Sequence, residues 1–262
     1  MPLTQKPADL SVPKLVLFNK PFGVLSQFRA DGNNNFATLA DYIHDKSLRV
    51  AGRLDATSEG LLLLTNDGQL NELLTAPPAV LQAKGITKQH GKTYWVQLDG
   101  MATDEQIAAL QAGVLLKDGM TLPAYVERLD AADIATQLWQ APPQIAYRRV
   151  TSWLAITIFE GKNRQVRRMT AHVGLPCLRL VRVASSGFSV EGLAVGAQRD
   201  VKPSDDILQR LGWQASLAPP QLYKQPSDAR KPNTRKPSHQ PSHQRSNKNK
   251  SYQTYHNKKP QR

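Results

Sequence analysis

The sequence predicts an α+β fold rich in short strands, and three observations carry that prediction. Short apolar runs recur along the chain, closed by Gly, Pro, Asn or Asp, as strands are. Segments opened by Thr with an Asp or Gln three residues on carry the signature of a helix N-terminus. No apolar run approaches the roughly 18 residues that a membrane-spanning helix requires, so the elements are those of a soluble domain.

The folded part is expected to begin near Lys14. Leu15 to Asn19 is an apolar run ended by Lys20-Pro21-Phe22-Gly23, where Pro fixes one backbone angle and Gly permits another, so a strand and then a turn are expected. After the polar loop Asp31 to Asn35, Thr38 is placed to cap a short helix through Tyr42 and Ile43, with Asp41 as its capping-box partner. A strand then leads into Gly52. From there to Gly60 runs a polar, Gly-bounded loop carrying Arg53, Asp55, Thr57, Ser58 and Glu59. Leu61 to Leu64, closed by Asn66-Asp67-Gly68, reads as a buried strand by its length and turn chemistry. Asp55 is therefore held between two core strands; by spacing alone it fits a nucleophile, a base or a turn residue.

Gln69 to Leu74 suits a short helix, and Ala76 to Gly91 a loop, with Lys84, Lys88, His90 and Lys92 expected to be exposed. The aromatic and β-branched residues of Lys92 to Gly100 favour a strand with Tyr94 and Val96 on one face. Thr103 and Gln106 open a helix that Gly113 ends. Val114 to Leu116 and Leu122 to Arg128 are expected to be strands flanking the Asp118-Gly119 turn, while Asp130 to Arg149 reads as irregular, broken by Pro142-Pro143. Ser152 to Phe159 alternates as a half-buried strand does. Asn163 is placed to cap a helix to Val173, stopped by Gly174, so that Arg164, Arg167 and Arg168 share one face and Val166, Met169 and Val173 the opposite one. Gly192 to Val201 would close the sheet, and Ser204, Asp205 and Asp206 would start a last helix ending near Gly212.

Charge points to the partner. Lys and Arg number 34 against 21 Asp and Glu, a net +13 with a pI near 9.9. From Gln221 to Arg262 there are eleven Lys and Arg against one Asp, which leaves only about +3 for the preceding residues. That tail is rich in Pro, Ser, Gln and Asn, too poor in apolar surface to fold alone, and suited to sequence-blind phosphate contacts. The first residues, Met1 to Val12, lack a basic region followed by an apolar stretch, so no secretory signal is read and a cytoplasmic location is expected. Cys177, the only cysteine, excludes an internal disulfide and a Cys-based zinc site within one chain, and is expected to be a small buried apolar residue.

The string Gly52-Arg-Leu-Asp55, followed by Ser58-x-Gly60-Leu-Leu-Leu-Leu-Thr65-Asn-Asp-Gly68, resembles the signature of the pseudouridine synthases that act on ribosomal RNA. Asn19-Lys20-Pro21-Phe22-Gly23-Val24 resembles the first motif of that family, Lys92-Thr-Tyr94 the second, Gly161-Lys-Asn-Arg-Gln-Val-Arg-Arg-Met-Thr-Ala-His the third and Leu178 to Gly187 the last. The subgroup resembled holds the small-subunit synthase A and the large-subunit synthases B, E and F. Many of these begin with a small RNA-binding domain; only about 13 residues precede Leu15 here, and that departure, with Thr151-Ser-Trp, makes the chain most similar to the E-type large-subunit (23S rRNA) synthases.

The resemblance implies a mixed, mainly antiparallel sheet with flanking helices, split into two halves around a basic cleft, as a catalytic domain over 14–215 between an extension, 1–13, and the basic tail, 216–262. It implies that Asp55 is the catalytic carboxylate, that Tyr94 packs over the target base, and that Arg167 pairs with Asp55 and favours its charged form. It implies as well that Leu180 packs against the reacting nucleotide and that Arg53, Lys162, Arg164 and Arg168 hold RNA. The reaction implied is isomerisation of a uridine, with no cofactor and no metal; the partner is ribosomal RNA and a monomer is expected. Three rivals stand beside it. Asp55 and Glu59 could be the paired carboxylates of a glycosidase; the chain could be a noncatalytic RNA-binding protein of ribosome assembly; or the synthase could act on another RNA, such as small-subunit rRNA or tRNA.

Overall fold

A computed structural model of the chain describes residues 13–30, 32, 36–86, 90–204 and 208–209. The N-terminal extension, most of the polar loop at 31–35, Lys88, most of the helix expected after Ser204 and the basic tail lie outside the described residues.

The core of the molecule is a sheet with strand order β11-β1-β3-β9-β4-β8-β7. Its members are β1 (Leu15–Lys20), β3 (Glu59–Thr65), β4 (Lys92–Asp99), β7 (Tyr125–Leu129), β8 (Thr151–Ile158), β9 (Cys177–Ser185) and β11 (Gln198–Val201). β2 (Arg49–Ala51) adds to β3 and β10 (Phe188–Ser189) to β9. Every pairing in this sheet is antiparallel except β3 with β9, so the expected mixed, mainly antiparallel sheet is what forms. β1 and β3 are buried along their whole length, with core on both faces. That is why Leu61 to Leu64 is a continuous apolar run rather than an alternating one.

One face of the sheet carries Val16, Phe18, Leu62, Leu64, Tyr94, Val96, Leu154 and Ile156. It packs against Ile107 and Leu110 of α3 (Asp104–Ala112) and Val166 and Met169 of α5 (Gln165–His172). The other face, with Leu15, Leu17, Leu61 and Leu63, takes Leu70 and Leu74 of α1 (Gly68–Thr75). The two halves of the sheet meet at the parallel β3–β9 ladder, which has only two residue pairs, Glu59 with Val181 and Gly60 with Arg182. Gly60 has φ +98°, and a Cβ there would lie 2.3 Å from the carbonyl oxygen of Arg182. Only glycine permits this approach.

The capping boxes at Thr38 and Thr103 form as their sequences require, but Thr38 opens a single 3-10 turn, Leu39–Asp41, and the chain leaves the helical region at Tyr42. The loop expected at 76–91 contains α2 (Pro78–Ala83): Pro occupies the first turn, where its missing N–H costs nothing, and Leu81 is buried. The irregular stretch after Asp130 contains α4 (Ala131–Gln137), capped by the Asp130 side chain and anchored by the buried Ile134. β5 (Leu115–Leu116) pairs across the turn with β6 (Gly119–Met120), whereas the strand expected from Leu122 begins only at Tyr125 and joins the main sheet beside β8. The third-motif helix begins one residue late: its N-cap is Arg164, in the left-handed region at φ 46°, not Asn163.

Candidate active site

The loop between β2 and β3 is held residue by residue, and that defines the site. Ser26 Oγ donates to the Leu54 carbonyl at 2.8 Å and accepts from the Leu54 amide at 3.1 Å. The Asp55 carbonyl accepts from the Ser58 amide at 3.0 Å, and the Ala56 carbonyl from the Gly23 amide at 2.8 Å. Lys20 Nζ also donates to Ala56 at 3.3 Å, and Arg167 Nη2 to the Thr57 carbonyl at 2.8 Å. A loop whose polar groups are paired in this way has few alternatives, so the Asp55 side chain is presented from a fixed base.

Asp55 is half-buried, and its Oδ2 lies 3.2 Å from Arg164 Nη1. This corrects the pairing expected with Arg167. The left-handed turn at Arg164 takes its side chain out of the helix line and across to Asp55. Arg167, one turn into α5, reaches instead behind the loop, to Thr57 and to the carbonyl of Cys177 at 3.2 Å. Arg168 goes a third way, into a two-pronged ion pair with Asp118 at 2.7 and 3.1 Å. The three arginines do not share a face.

Asp55 opens into a cleft of about 240 Å³. Arg53, Tyr94, Lys162, Arg164 and Leu180 line it with Asp55, so six of the eight residues singled out in the sequence meet there; Arg167 and Arg168 do not line it. Tyr94 and Leu180 are buried on adjacent strands and give the cleft an apolar wall. Arg53 is exposed at the rim. Lys162 Nζ donates to the carbonyls of Asp118, Gly119 and Met120, between 2.8 and 3.3 Å, and so pins the β5–β6 hairpin beside the cleft.

Two buried cations, one at the end of β1 and one on β9, went unassigned in the sequence. Lys20 is fully buried, with Nζ 2.8 Å from the carbonyls of Pro21 and Val24. Burial pushes its ammonium down to about 7, Arg182 adds to that, and the negative Glu59 and Asp55 oppose it. Arg182 is buried on β9 and also lines the cleft. The signal for both is strand parity: Lys20 continues the face of Val16 and Phe18, and Arg182 that of Leu180. Cys177 is half-buried on β9, and burial pushes its thiol up to about 11.

Glu59 is excluded as a second cleft carboxylate. It is 1% exposed on the opposite face of β3, chelated by Arg179 at 2.9 and 3.0 Å and accepting the Trp139 indole N–H at 2.6 Å. Glycosidase carboxylates must flank one bond across the same cleft, and this pair does not. Among the described residues no helix is long and apolar enough to cross a membrane.

One fixed carboxylate beside a guanidinium, an apolar wall and a cationic rim suit a planar base carried on a phosphate backbone. The family model for RNA pseudouridylate synthase matches residues 14–172. The ribosomal large subunit pseudouridine synthase E of Vibrio vulnificus is 46% identical over 200 residues, 76% of this chain and 79% of that one. The synthase E of Xanthomonas campestris is 48% identical, covering 71% of this chain and 94% of its own length, and the synthase B of Bacillus subtilis 31%, covering 74% and 70%. A crystal structure of a pseudouridylate synthase superposes with a TM-score of 0.58 at 27% identity, over 76% of this chain and 74% of the other. Fold, site and similarity together define an isomerase that acts on RNA. The chain belongs to the RNA pseudouridylate synthase family.

Proposed function

We propose that this protein converts a specific uridine of large-subunit (23S) ribosomal RNA to pseudouridine, with Asp55 as the catalytic carboxylate. The observation that carries the reading is the immobilised Asp55 loop, facing Arg164 in the cleft that Tyr94 and Leu180 wall. The choice of ribosomal RNA draws on relatives named as large-subunit synthases.

In the reaction the bond from uracil N1 to ribose C1′ breaks, the uracil turns in place, C5 bonds to the same C1′ and loses its proton, and N1 takes one up. No atoms are gained or lost overall. A paired or stacked uridine must first leave its stack, at roughly a few kcal/mol, which phosphate contacts from Arg53 and Arg164 offset, joined by Lys162 where it exchanges a hairpin carbonyl for a phosphate. Tyr94 and Leu180 then pack the base, and Asp55 acts either as nucleophile or as the group that removes a ribose proton. Arg167 serves as a positioning residue through the Thr57 carbonyl. Arg168 reaches RNA only by exchanging Asp118 for a phosphate. The reading assigns the basic residues 216–262 to phosphate contacts, and the whole protein to the cytoplasm as a monomer, which sedimentation checks.

The decisive experiment measures tritium release from unmodified large-subunit rRNA carrying 5-tritiated uridine, by the protein and by its Asp55→Ala variant at matched RNA occupancy. Release by the former alone is expected. Tight binding without release by either would leave a noncatalytic RNA-binding protein or another RNA substrate.

A further inference from the structure

Of the two buried cations, Lys20 does not line the cleft and is saturated by three carbonyls. Arg182 is not. It is 2% exposed, on the cleft face of β9, registered across β4 with Tyr94 and two residues from Leu180 on the same face. Its Nε donates to the Leu61 carbonyl at 2.7 Å, yet its Nη2 is buried with no hydrogen-bond partner, and no carboxylate pairs with it among the described residues. Arg179, three residues back on the opposite face, shows what a buried guanidinium on this strand ordinarily has: two oxygens of Glu59 and the carbonyl of Trp139.

A buried charged donor without an acceptor is destabilising by more than a neutral one, and native structures leave few of them. The orphan here belongs to a residue that lines the cleft, opposite Tyr94 on the neighbouring strand and two residues along its own strand from Leu180. At Arg182 the cleft offers a buried donor with nothing to accept it. Uracil and its phosphate are the reverse at their edges: O2, O4 and the non-bridging oxygens all accept.

We propose that Arg182 is a further substrate-binding residue, its free Nη2 donating to an acceptor oxygen of the target nucleotide, either a uracil carbonyl or a non-bridging oxygen of the adjoining phosphate. The inference rests on the cleft being a uridine site. If the acceptor is O4, Arg182 also rejects cytosine, whose amino group at that position is itself a donor and finds nothing to accept it.

The test uses the full-length protein with Arg182→Met and Arg182→Lys, measuring kcat and KM by tritium release from 5-tritiated large-subunit rRNA, and RNA Kd across a salt series. Contact with the uracil lowers kcat in the Met variant by about 10- to 100-fold, with Kd and its salt slope unchanged, because the base reaches the floor only after leaving its stack. Contact with phosphate raises KM and Kd and lowers the slope of log Kd against log salt by about 0.7 to 0.9; Lys, which keeps the charge, restores that slope. Either pattern supports the proposal. The Lys variant preserves the buried cation, so it reports even where Met compromises folding. Unchanged kcat, KM and salt slope in a folded variant, with at most a lower melting temperature, would overturn the proposal and leave Arg182 a strut for Leu61. Absence of release by the unaltered protein overturns the uridine reading itself, whatever the variants do.

Discussion

Lys20 shows how a single residue ties the fold to the site. Its ammonium has no access to solvent, and the free value of 10.5 is lowered to about 7, first by burial and then by Arg182, against the pull of Glu59 and Asp55. Because the folded value is the lower one, the unfolded chain holds the extra proton between pH 7 and 10.5, so this group's contribution to stability rises with pH across that window and its penalty is complete below pH 7. Cys177 acts in the opposite sense from pH 9 to about 11, since its folded value is the raised one. The clean interval is therefore pH 7 to 9. There the stability of the wild-type protein gains at most about 1.4 kcal/mol per pH unit from Lys20, and Lys20→Met removes that gain. Calorimetric melting at several pH values checks this; parallel curves for the two proteins would mean that the three carbonyls keep the lysine charged throughout. Lys20 read as the start of a turn, whereas the strand runs through it and puts it on the face of Val16 and Phe18; the sequence does not reveal the carbonyls that receive it, because one of them arrives from Ala56, 36 residues on.

At the scale of elements, the third-motif helix and the β3–β9 junction explain what was and was not legible. The spacing of Arg164, Arg167 and Arg168 is a helix-face rule, valid only if all three are helical; Arg164 is the left-handed N-cap, so the rule fails at the residue that meets Asp55. Arg167 then acts on the loop backbone rather than on the carboxylate. Arg167→Ala is expected to lower kcat about tenfold or more by releasing Thr57, with RNA Kd at fixed salt nearly unchanged. An equal rise in Kd, seen by filter binding, would return Arg167 to direct RNA contact. Gly60 read only as the end of a polar loop, yet its φ of +98° and the carbonyl of Arg182 exclude any side chain there. Gly60→Ala should therefore destabilise by about 2 to 4 kcal/mol, read as a lower urea midpoint at unchanged m. A midpoint within error of the wild type would show that the two halves of the sheet can separate at little cost.

For the whole molecule, local patterns recovered most of the strands and the two capping boxes, the mixed and mainly antiparallel character of the sheet came from resemblance, and the strand order came from neither. Pairing β3 with β9 joins segments more than a hundred residues apart, and no periodicity within either segment encodes that. Charge is the global property the sequence does report: eleven Lys and Arg lie between Gln221 and Arg262, while the portion with the cleft carries only about +3. If the tail supplies phosphate contacts and the cleft supplies chemistry, the two are separable. Deleting residues 221–262 should weaken RNA binding and flatten its salt dependence, the slope of log Kd against log salt falling by about 0.7 to 0.9 for each phosphate that the tail no longer neutralises. The rate of tritium release at saturating RNA should stay near that of the full chain, since among the described residues the hydrogen bonds that hold the loop between β2 and β3 come from residue 167 or before. A truncated protein that binds RNA to saturation yet releases tritium as slowly as Asp55→Ala would place part of the catalytic machinery in the tail, and binding and chemistry would not divide between tail and cleft.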